Sequence, residues 1–273
     1  MKDGQHRILS IGAHQDDADT SSGGLLMQLH DQGWDVRMLS VTDGSAGTLH
    51  TDWPAGELKL LRRSEAAKSG QLLGARYDVM DFPDAHLMPT LEVREALIRY
   101  IRFYQPDIIV TNRTNDYHAD HRNTAIAVQD ASYLLTVPAV CPDVPALPYS
   151  PVILYWHDGF TVPVKFRPDL FVPMDGRVEA LVKHAACHES QYFDWMYYPD
   201  HMEKRDWPRE QQIADLTKRY YAFMGREREE GDALITSYCG AAAKDIHYVE
   251  LFEISEYGDQ PTQEMIDQIQ KWK

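Results

Sequence analysis

Two short runs hold the side chains best suited to chemistry. Gly12-Ala13-His14-Gln15-Asp16-Asp17 follows the apolar run Ile8-Leu9-Ser10-Ile11, and Asn115-Asp116-Tyr117-His118-Ala119-Asp120-His121 follows Ile108-Ile109-Val110. Imidazoles and carboxylates at the mouth of a buried strand need a partner or a metal. If both runs leave strands of one parallel sheet, they converge at the edge where open α/β folds place their ligands. Together they offer two imidazoles and a carboxylate to one divalent cation, and leave another carboxylate and imidazole for proton transfer. Either run alone reads most simply as capping or surface hydrogen bonding. Both together, each after an apolar run, are hard to explain that way.

The elements that must position these runs alternate between strand and helix. Arg7–Ala13 reads as a strand, Thr20–Gln32 as a helix closed by Gly33, and Val36–Val41 as a second strand ending in Thr42-Asp43-Gly44. Leu58–Leu73 is a helix stopped at Gly74, Tyr77–Met80 a brief strand, and Leu91–Tyr104 a helix ended by Pro106. Asp107–Thr111 then delivers the second run, and His121 opens a helix to about Leu135. This alternation predicts an α/β fold, a Rossmann-like, mostly parallel sheet flanked by helices. Four prolines between Val137 and Tyr149 mark a loop or insertion. Val152–Trp156, Leu170–Val172 and Ile246–Ile254 read as strands; Gly176–Phe193, Arg209–Arg228 and Thr262–Lys271 read as helices. Asp194–Pro208, rich in Trp and Tyr, is irregular and suits a lid at the cleft mouth. The expectation is one domain over 1–273, with a core at about 7–135 and an elaborated part at about 136–273.

The two runs resemble the motifs of the PIG-L / LmbE-like family of zinc-dependent N-acetylglucosamine deacetylases, A-H-x-D-D and H-x-D-H, as Ala13-His14-Gln15-Asp16-Asp17 and His118-Ala119-Asp120-His121. Further matches are Gly23-Gly24, Thr42-Asp43-Gly44, Arg62 with Glu65-Ala66, Phe82-Pro83-Asp84 and Glu189-Ser190-Gln191. The resemblance implies His14, Asp17 and His121 as metal ligands, with Zn2+ as the ion and another divalent metal such as Fe2+ compatible. It implies Asp16 as general base and His118, held by Asp120, as the group that stabilises the oxyanion or protonates the leaving amine. Neighbouring side chains at an extended strand end point opposite ways, which agrees with different tasks for Asp16 and Asp17. Asp43, Arg62 and Asp84 follow from the resemblance as substrate contacts, although a turn Asp, a helix Arg and an Asp after Pro are all routine. Gln15 stands where the family has proline. Ala18 and Asp19 stand where it has a glutamate, which bears on support of the metal.

Composition narrows the partners. A net charge of −15 lacks the basic footprint that nucleic acid or an anionic membrane surface requires. No run is long enough to span a bilayer, and the N-terminus carries no signal-like apolar stretch, so a cytoplasmic protein is expected. Cys141, Cys187 and Cys239 are dispersed and odd in number, as in a reduced compartment. The expected partner is a small-molecule or glycoside substrate; assembly with copies of itself is left open. The leading expectation is removal of an N-acetyl group from an N-acetylglucosamine-type molecule. The alternatives are hydrolysis of another amide or ester, or sugar or metal binding without turnover. A dinucleotide binder is disfavoured, because His14-Gln15-Asp16-Asp17 stands where a phosphate loop needs glycines and no negative charge.

Overall fold

A computed structural model describes residues 4–54, 56–198 and 201–272. Residues 1–3, and Pro199 and Asp200 of the expected lid, lie outside the described residues. Mostly buried, apolar-rich runs form β1 (Arg7–Gly12), β2 (Asp35–Thr42) and β4 (Ile108–Thr111), and β3 (Arg76–Phe82) is a more exposed edge strand. Between them lie α1 (Asp17–Ser21), α2 (Gly23–His30), α3 (Glu57–Leu73) and α4 (Leu91–Tyr104), and α5 (Ala119–Ser132) follows β4. The remaining elements are β5 (Val152–Trp156), β6 (Leu170–Pro173), α6 (Val178–Cys187), α7 (Glu189–Tyr192), α8 (Arg209–Glu230), α9 (Asp232–Cys239), β7 (Val249–Gly258) and α10 (Gln263–Ile269).

The strands form one seven-stranded sheet in the order β3-β2-β1-β4-β5-β7-β6. Neighbours from β3 through β5 are parallel, while β7 runs antiparallel to both β5 and β6. The mostly parallel sheet matches the expectation, and the elaborated C-terminal part completes the same sheet. The order reverses between β1 and β4: from β1 the chain moves outward to β2 and β3, then returns to β4 on the other side. A crevice opens beyond the carboxyl ends of strands at such a reversal, and β1 and β4 are the strands that deliver His14 and His118. Apolar residues close both faces, with Leu25, Leu26, Leu29 and Leu181 on one side and Leu97, Ile98, Ile101, Val128 and Leu135 on the other.

Two expected helices are broken, each for a visible reason. The helix expected over Thr20–Gln32 divides at Ser22, whose hydroxyl bonds to the Ala18 carbonyl and pairs with Ser10. The N–H groups of Gly24 and Leu25, which would have continued the helix, donate to the two carboxylate oxygens of Glu250 on β7 at 2.8 and 2.9 Å. The helix expected over Gly176–Phe193 divides at His188, whose fully buried side chain turns inward to Asp19 at 2.7 Å. The proline-bearing segment after α5 is an ordered loop because the buried Arg102 guanidinium donates to the carbonyls of Leu134, Leu135, Val137, Val140, Cys141 and Val144. Helix α9 is an element that hydrophobic periodicity alone did not reveal.

Glu250 gives the fold a pH signature. Burial pushes its carboxyl up to about 8 against the pull of the Gly24 and Leu25 N–H groups. A carboxyl whose pKa is higher folded than unfolded holds its proton in the native state across the interval between the two values, so stability falls as pH rises through that interval. Between pH 5 and 7 this group should contribute a loss of up to about 1.4 kcal/mol per pH unit. Chemical unfolding across that range should show the Glu250→Gln variant with a correspondingly flatter slope, whatever its absolute stability. Equal slopes would mean that Glu250 is ionised in the folded protein.

Candidate metal centre and cleft

The end of β1 can approach α1 only because residue 12 is glycine: a Cβ there would lie 2.4 Å from the Asp17 Cβ. The chain turns through His14 and Gln15 into α1, with Asp16 at the N-cap position in a helical conformation and Asp17 as the first helical residue. The extended geometry expected for this pair is therefore replaced by a helix start, which separates the two carboxylates by rotation about the helix axis. The Gln15 amide holds the turn to β2 by donating to the Thr42 carbonyl at 2.9 Å. Asp17 Oδ2 accepts the N–H groups of Ala13 and His14, both at 2.8 Å. Its other oxygen, Oδ1, lies 3.4 Å from His121 Nε2.

On the opposite side, His118 caps α5: its Nδ1 accepts the Asp120 N–H at 3.1 Å. In the neutral ring the proton then sits on Nε2. His121, one turn into the helix, places Nε2 3.1 Å from His14 Nδ1, so two segments 107 residues apart meet.

Carboxylates outside the pair set its tautomers. His14 Nε2 faces Asp84 Oδ1 at 3.2 Å and Asp120 Oδ2 at 3.5 Å. His121 Nδ1 lies 3.0 Å from Asp116 Oδ1, off the line of a good hydrogen bond. With a proton on each outer nitrogen, the two inner nitrogens present lone pairs to each other and to Asp17. That donor set fits a divalent cation, since carboxylate partners on the far nitrogen are how ligating imidazoles are oriented. Burial pushes the His14 and His121 imidazoles down, but Asp120, Asp84 and Asp17 around His14, and Asp17 and Asp116 around His121, hold both above the ordinary value. The field that draws protons to these rings also favours a dication. Burial lowers the His118 imidazole, with His14 and His121 acting in the same direction. Burial would raise the Asp84, Asp116 and Asp120 carboxyls, yet their imidazole and N–H partners keep all three below the usual range.

Among the described residues, two sets of potential ligand atoms cluster within 4.8 Å: His14 with His118 and His121, and His14 with Asp84 and Asp120. The second set is largely committed elsewhere. Asp84 Oδ2 accepts the Ala46 N–H, and the Asp120 oxygens accept the N–H groups of Ala85 and Leu87.

The expected substrate contacts fare differently. Asp43 lies outside the cleft lining; its Oδ1 accepts the N–H groups of Ser45 and Asp84, and its Oδ2 meets Lys59 at 3.4 Å. It acts as a turn clamp in this structure, with both carboxylate oxygens engaged by its neighbours. Asp84 lines the cleft but turns to His14 and Ala46. Arg62 also lines it, and its Nη2 is taken by the Gly47 carbonyl and Gln191 Oε1, its Nε by Ser190 at 3.4 Å. The expected Asp120–His118 pair is corrected: the Asp120 carboxylate serves His14 and the β3–α4 loop, while its backbone N–H serves His118. Gly44 permits this crowding, since a Cβ at its φ of +70° would lie 2.2 Å from Gln15 Oε1 and 2.8 Å from Arg62 Cδ.

The cleft holds about 550 Å³ and is lined by His14, Asp16, Asp17, His118 and His121, with Tyr117, Phe160 and Trp195 among its aromatic residues. Asp16 is buried in its wall, where the Gln191 amide donates to Oδ1 at 3.3 Å. Trp195 and Met196 confirm that the aromatic segment reaches the cleft. Two supporting residues stand within the quoted runs but carry no assigned role there: Asp116, behind His121, and Gln191, beside Asp16. Asp116 stood inside the second run, two residues before His118, and its His118 N–H contact at 2.9 Å is a turn signal a sequence can carry.

Residues 9–132, which span both runs, match the PIG-L family model, GlcNAc-PI de-N-acetylase. Diacetylchitobiose deacetylase of Thermococcus kodakarensis is 29% identical over 195 residues, covering 68% of this chain and 70% of that protein. The 4-oxalmesaconate hydratase of Pseudomonas putida is 23% identical over 204 residues, covering 72% and 79%. Among solved structures, N,N'-diacetylchitobiose deacetylase from Pyrococcus horikoshii superposes with a TM-score of 0.71 at 22% identity, covering 96% of this chain and 90% of that one, and so shares the fold. With its two His-Asp runs brought together at the β1–β4 reversal, the chain carries a PIG-L family domain over residues 9–132.

Proposed function

We propose that this protein is a metal-dependent hydrolase that removes the N-acetyl group from an N-acetylglucosamine-type small molecule or glycoside, releasing acetate and a free amine. The observation that carries the reading is the pair of inner nitrogens of His14 and His121, 3.1 Å apart and beside Asp17, in a cleft that also presents Asp16 and His118. His14, Asp17 and His121 are the proposed ligands and zinc the proposed ion; Fe2+ suits the same nitrogen and oxygen donors. When bound, the ion supplies Lewis acidity toward water and the amide carbonyl.

The chain's own groups divide the remaining work. Asp16, oriented by the Gln191 amide, takes a proton from the attacking water as its oxygen bonds to the acetyl carbon. His118, with Nδ1 engaged by the Asp120 N–H, directs its Nε2–H at the carbonyl oxygen as negative charge develops there. When the C–N bond breaks, Asp16 returns its proton to the leaving nitrogen. Asp84, Asp120 and Asp116 orient the metal-binding imidazoles, and Arg62 holds Gln191 in place.

The hydratase relative shows that kinship alone does not fix the reaction. Here the cleft lining favours the amide. It includes Asp16 and Asp17, besides Asp84, Asp116 and Asp158, which are paired with His14, His121 and Arg113, while Arg62, its arginine, is already engaged by Gly47, Ser190 and Gln191. A carboxylate substrate would meet like charge, whereas a neutral acetamide would not.

Elemental analysis of the purified protein should find about one equivalent of divalent metal, lost in His14→Ala and His121→Ala. Asp120→Asn should weaken metal affinity by about 10- to 100-fold. Full metal retention in His14→Ala would contradict the ligand assignment. Acetate release from a panel of N-acetylglucosamine conjugates should be detectable in the wild type and fall by roughly two to three orders of magnitude in His118→Ala with metal retained. Near-normal turnover in that variant would remove His118 from the mechanism, and a wild type inert across the panel would contradict the deacetylase reading.

A further inference from the structure

Asp16, the proposed base, and Gln191, which donates to it, belong to helices too short to hold themselves. Helix α1 has five residues and α7 has four, and helices of that length are unstable without tertiary contacts. A second link joins the same two helices. Asp16 Oδ1 accepts the Gln191 amide at 3.3 Å, and one turn along each helix Asp19 Oδ2 meets His188 Nε2 at 2.7 Å. The links run antiparallel at equal spacing, Asp16 to Gln191 and Asp19 to His188.

The second link is built from buried atoms. Asp19 is 1% exposed and His188 is fully buried. The Ser69 hydroxyl on α3 also donates to Asp19 Oδ2, and its oxygen lies 2.9 Å from Nδ1 of His184 on α6. His188 leaves helical geometry, at φ −87° and ψ 63°, and its carbonyl accepts the N–H groups of Gln191 and Tyr192 at 3.1 and 2.9 Å. A displacement of His188 is therefore passed to the Gln191 backbone. Burial pushes the His188 imidazole down, but Asp19, Asp16 and Glu65 together hold it above the ordinary value, so charge strengthens the bond.

Stability alone is a weak reason for such a pair, because apolar residues of similar volume often serve a buried position as well. Asp19 Oδ1 and His188 Nδ1 have no hydrogen-bond partner among the described residues, and a buried polar atom left unpaired is costly. Neither residue lines the cleft, so an effect on the reaction has to pass through the groups they hold.

We propose that Asp19 and His188 are positioning residues for the hydrolysis: their bond sets α7 against α1 so that the Gln191 amide reaches Asp16 and keeps its carboxylate turned to the attacking water. The role of Asp16 rests on the deacetylase reading; the alignment is tested by structure as well as by turnover.

Asp19→Ala should keep its metal, lower kcat for acetate release by about 10- to 100-fold and leave KM within about twofold. Gln191→Ala should lose a similar amount, and the double variant no more than the larger single loss, because both changes remove one alignment. Asp19→Asn, which keeps an oxygen in place for His188, should recover most of kcat. A crystal structure of metal-loaded Asp19→Ala should show the Gln191 amide out of hydrogen-bond reach of Asp16, with His14, Asp17 and His121 unmoved. Where a melting curve shows Asp19→Ala unfolded, His188→Leu removes the link from the α7 side and enters the same cycle. Multiplying losses in the double variant, a raised KM at unchanged kcat, loss of metal, or an intact Asp16–Gln191 contact in the variant crystal would each overturn the proposal. A wild type that releases no acetate removes the deacetylase reading, and the crystallographic comparison then decides the alignment by itself.

Discussion

The architecture depends on two imidazole nitrogens brought to 3.1 Å with their far sides occupied by carboxylates. Lone pairs so close together repel unless positive charge lies between or beside them, and burial removes the water that would screen the repulsion. The sheet order makes this contact unavoidable, because the strand reversal sets β1 beside β4 and aims both loops at one crevice. Gly12 lets the first loop fold tightly enough for Asp17 to join, and Gly44 lets Gln15 and Arg62 crowd behind it.

Around that contact the protein is built in nested supports. Asp84 and Asp120 face His14, Asp116 faces His121, and the backbone N–H groups of Ala46, of Ala85 and Leu87, and of His118 hold those three carboxylates respectively in turn. Farther out, Glu65 accepts the Ser190 N–H and hydroxyl, and Arg62 reaches Gln191, so α3 fixes the wall that carries Asp16. Asp19, at the position where the family has glutamate nearby, meets buried His188 and Ser69. It braces α1 against α6 and α3 and does not line the cleft.

Much of this was legible in the amino-acid order, because periodicity and turn residues are local. The alternation of elements, the sheet class and the two His-Asp runs could all be read, since a buried strand followed by imidazoles and acids has few uses. Partners set by distant backbone could not. Asp120 lies two residues from His118, which suggested a side-chain pair, but at a helix N-terminus that spacing turns the two side chains apart. Its carboxylate meets Ala85 and Leu87, a contact fixed by the packing of another loop. The partners of Asp43 are of the other kind: a conspicuous Asp-Gly turn is a signal for local clamping, and two of its contacts, Ser45 and Asp84, are loop N–H groups. The broken helices at Ser22 and His188 depend on Glu250 and Asp19, side chains 228 and 169 positions away in the chain, so no local window contains them.

The most direct test of the central contact is an anomalous-difference map from crystals of the metal-loaded protein, recorded at the absorption edge of the bound ion. A single strong peak within coordination distance of His14 Nδ1, His121 Nε2 and Asp17 is the predicted result. A peak seated instead between Asp84 and Asp120, or none beside the two imidazoles at full metal loading, would contradict the account.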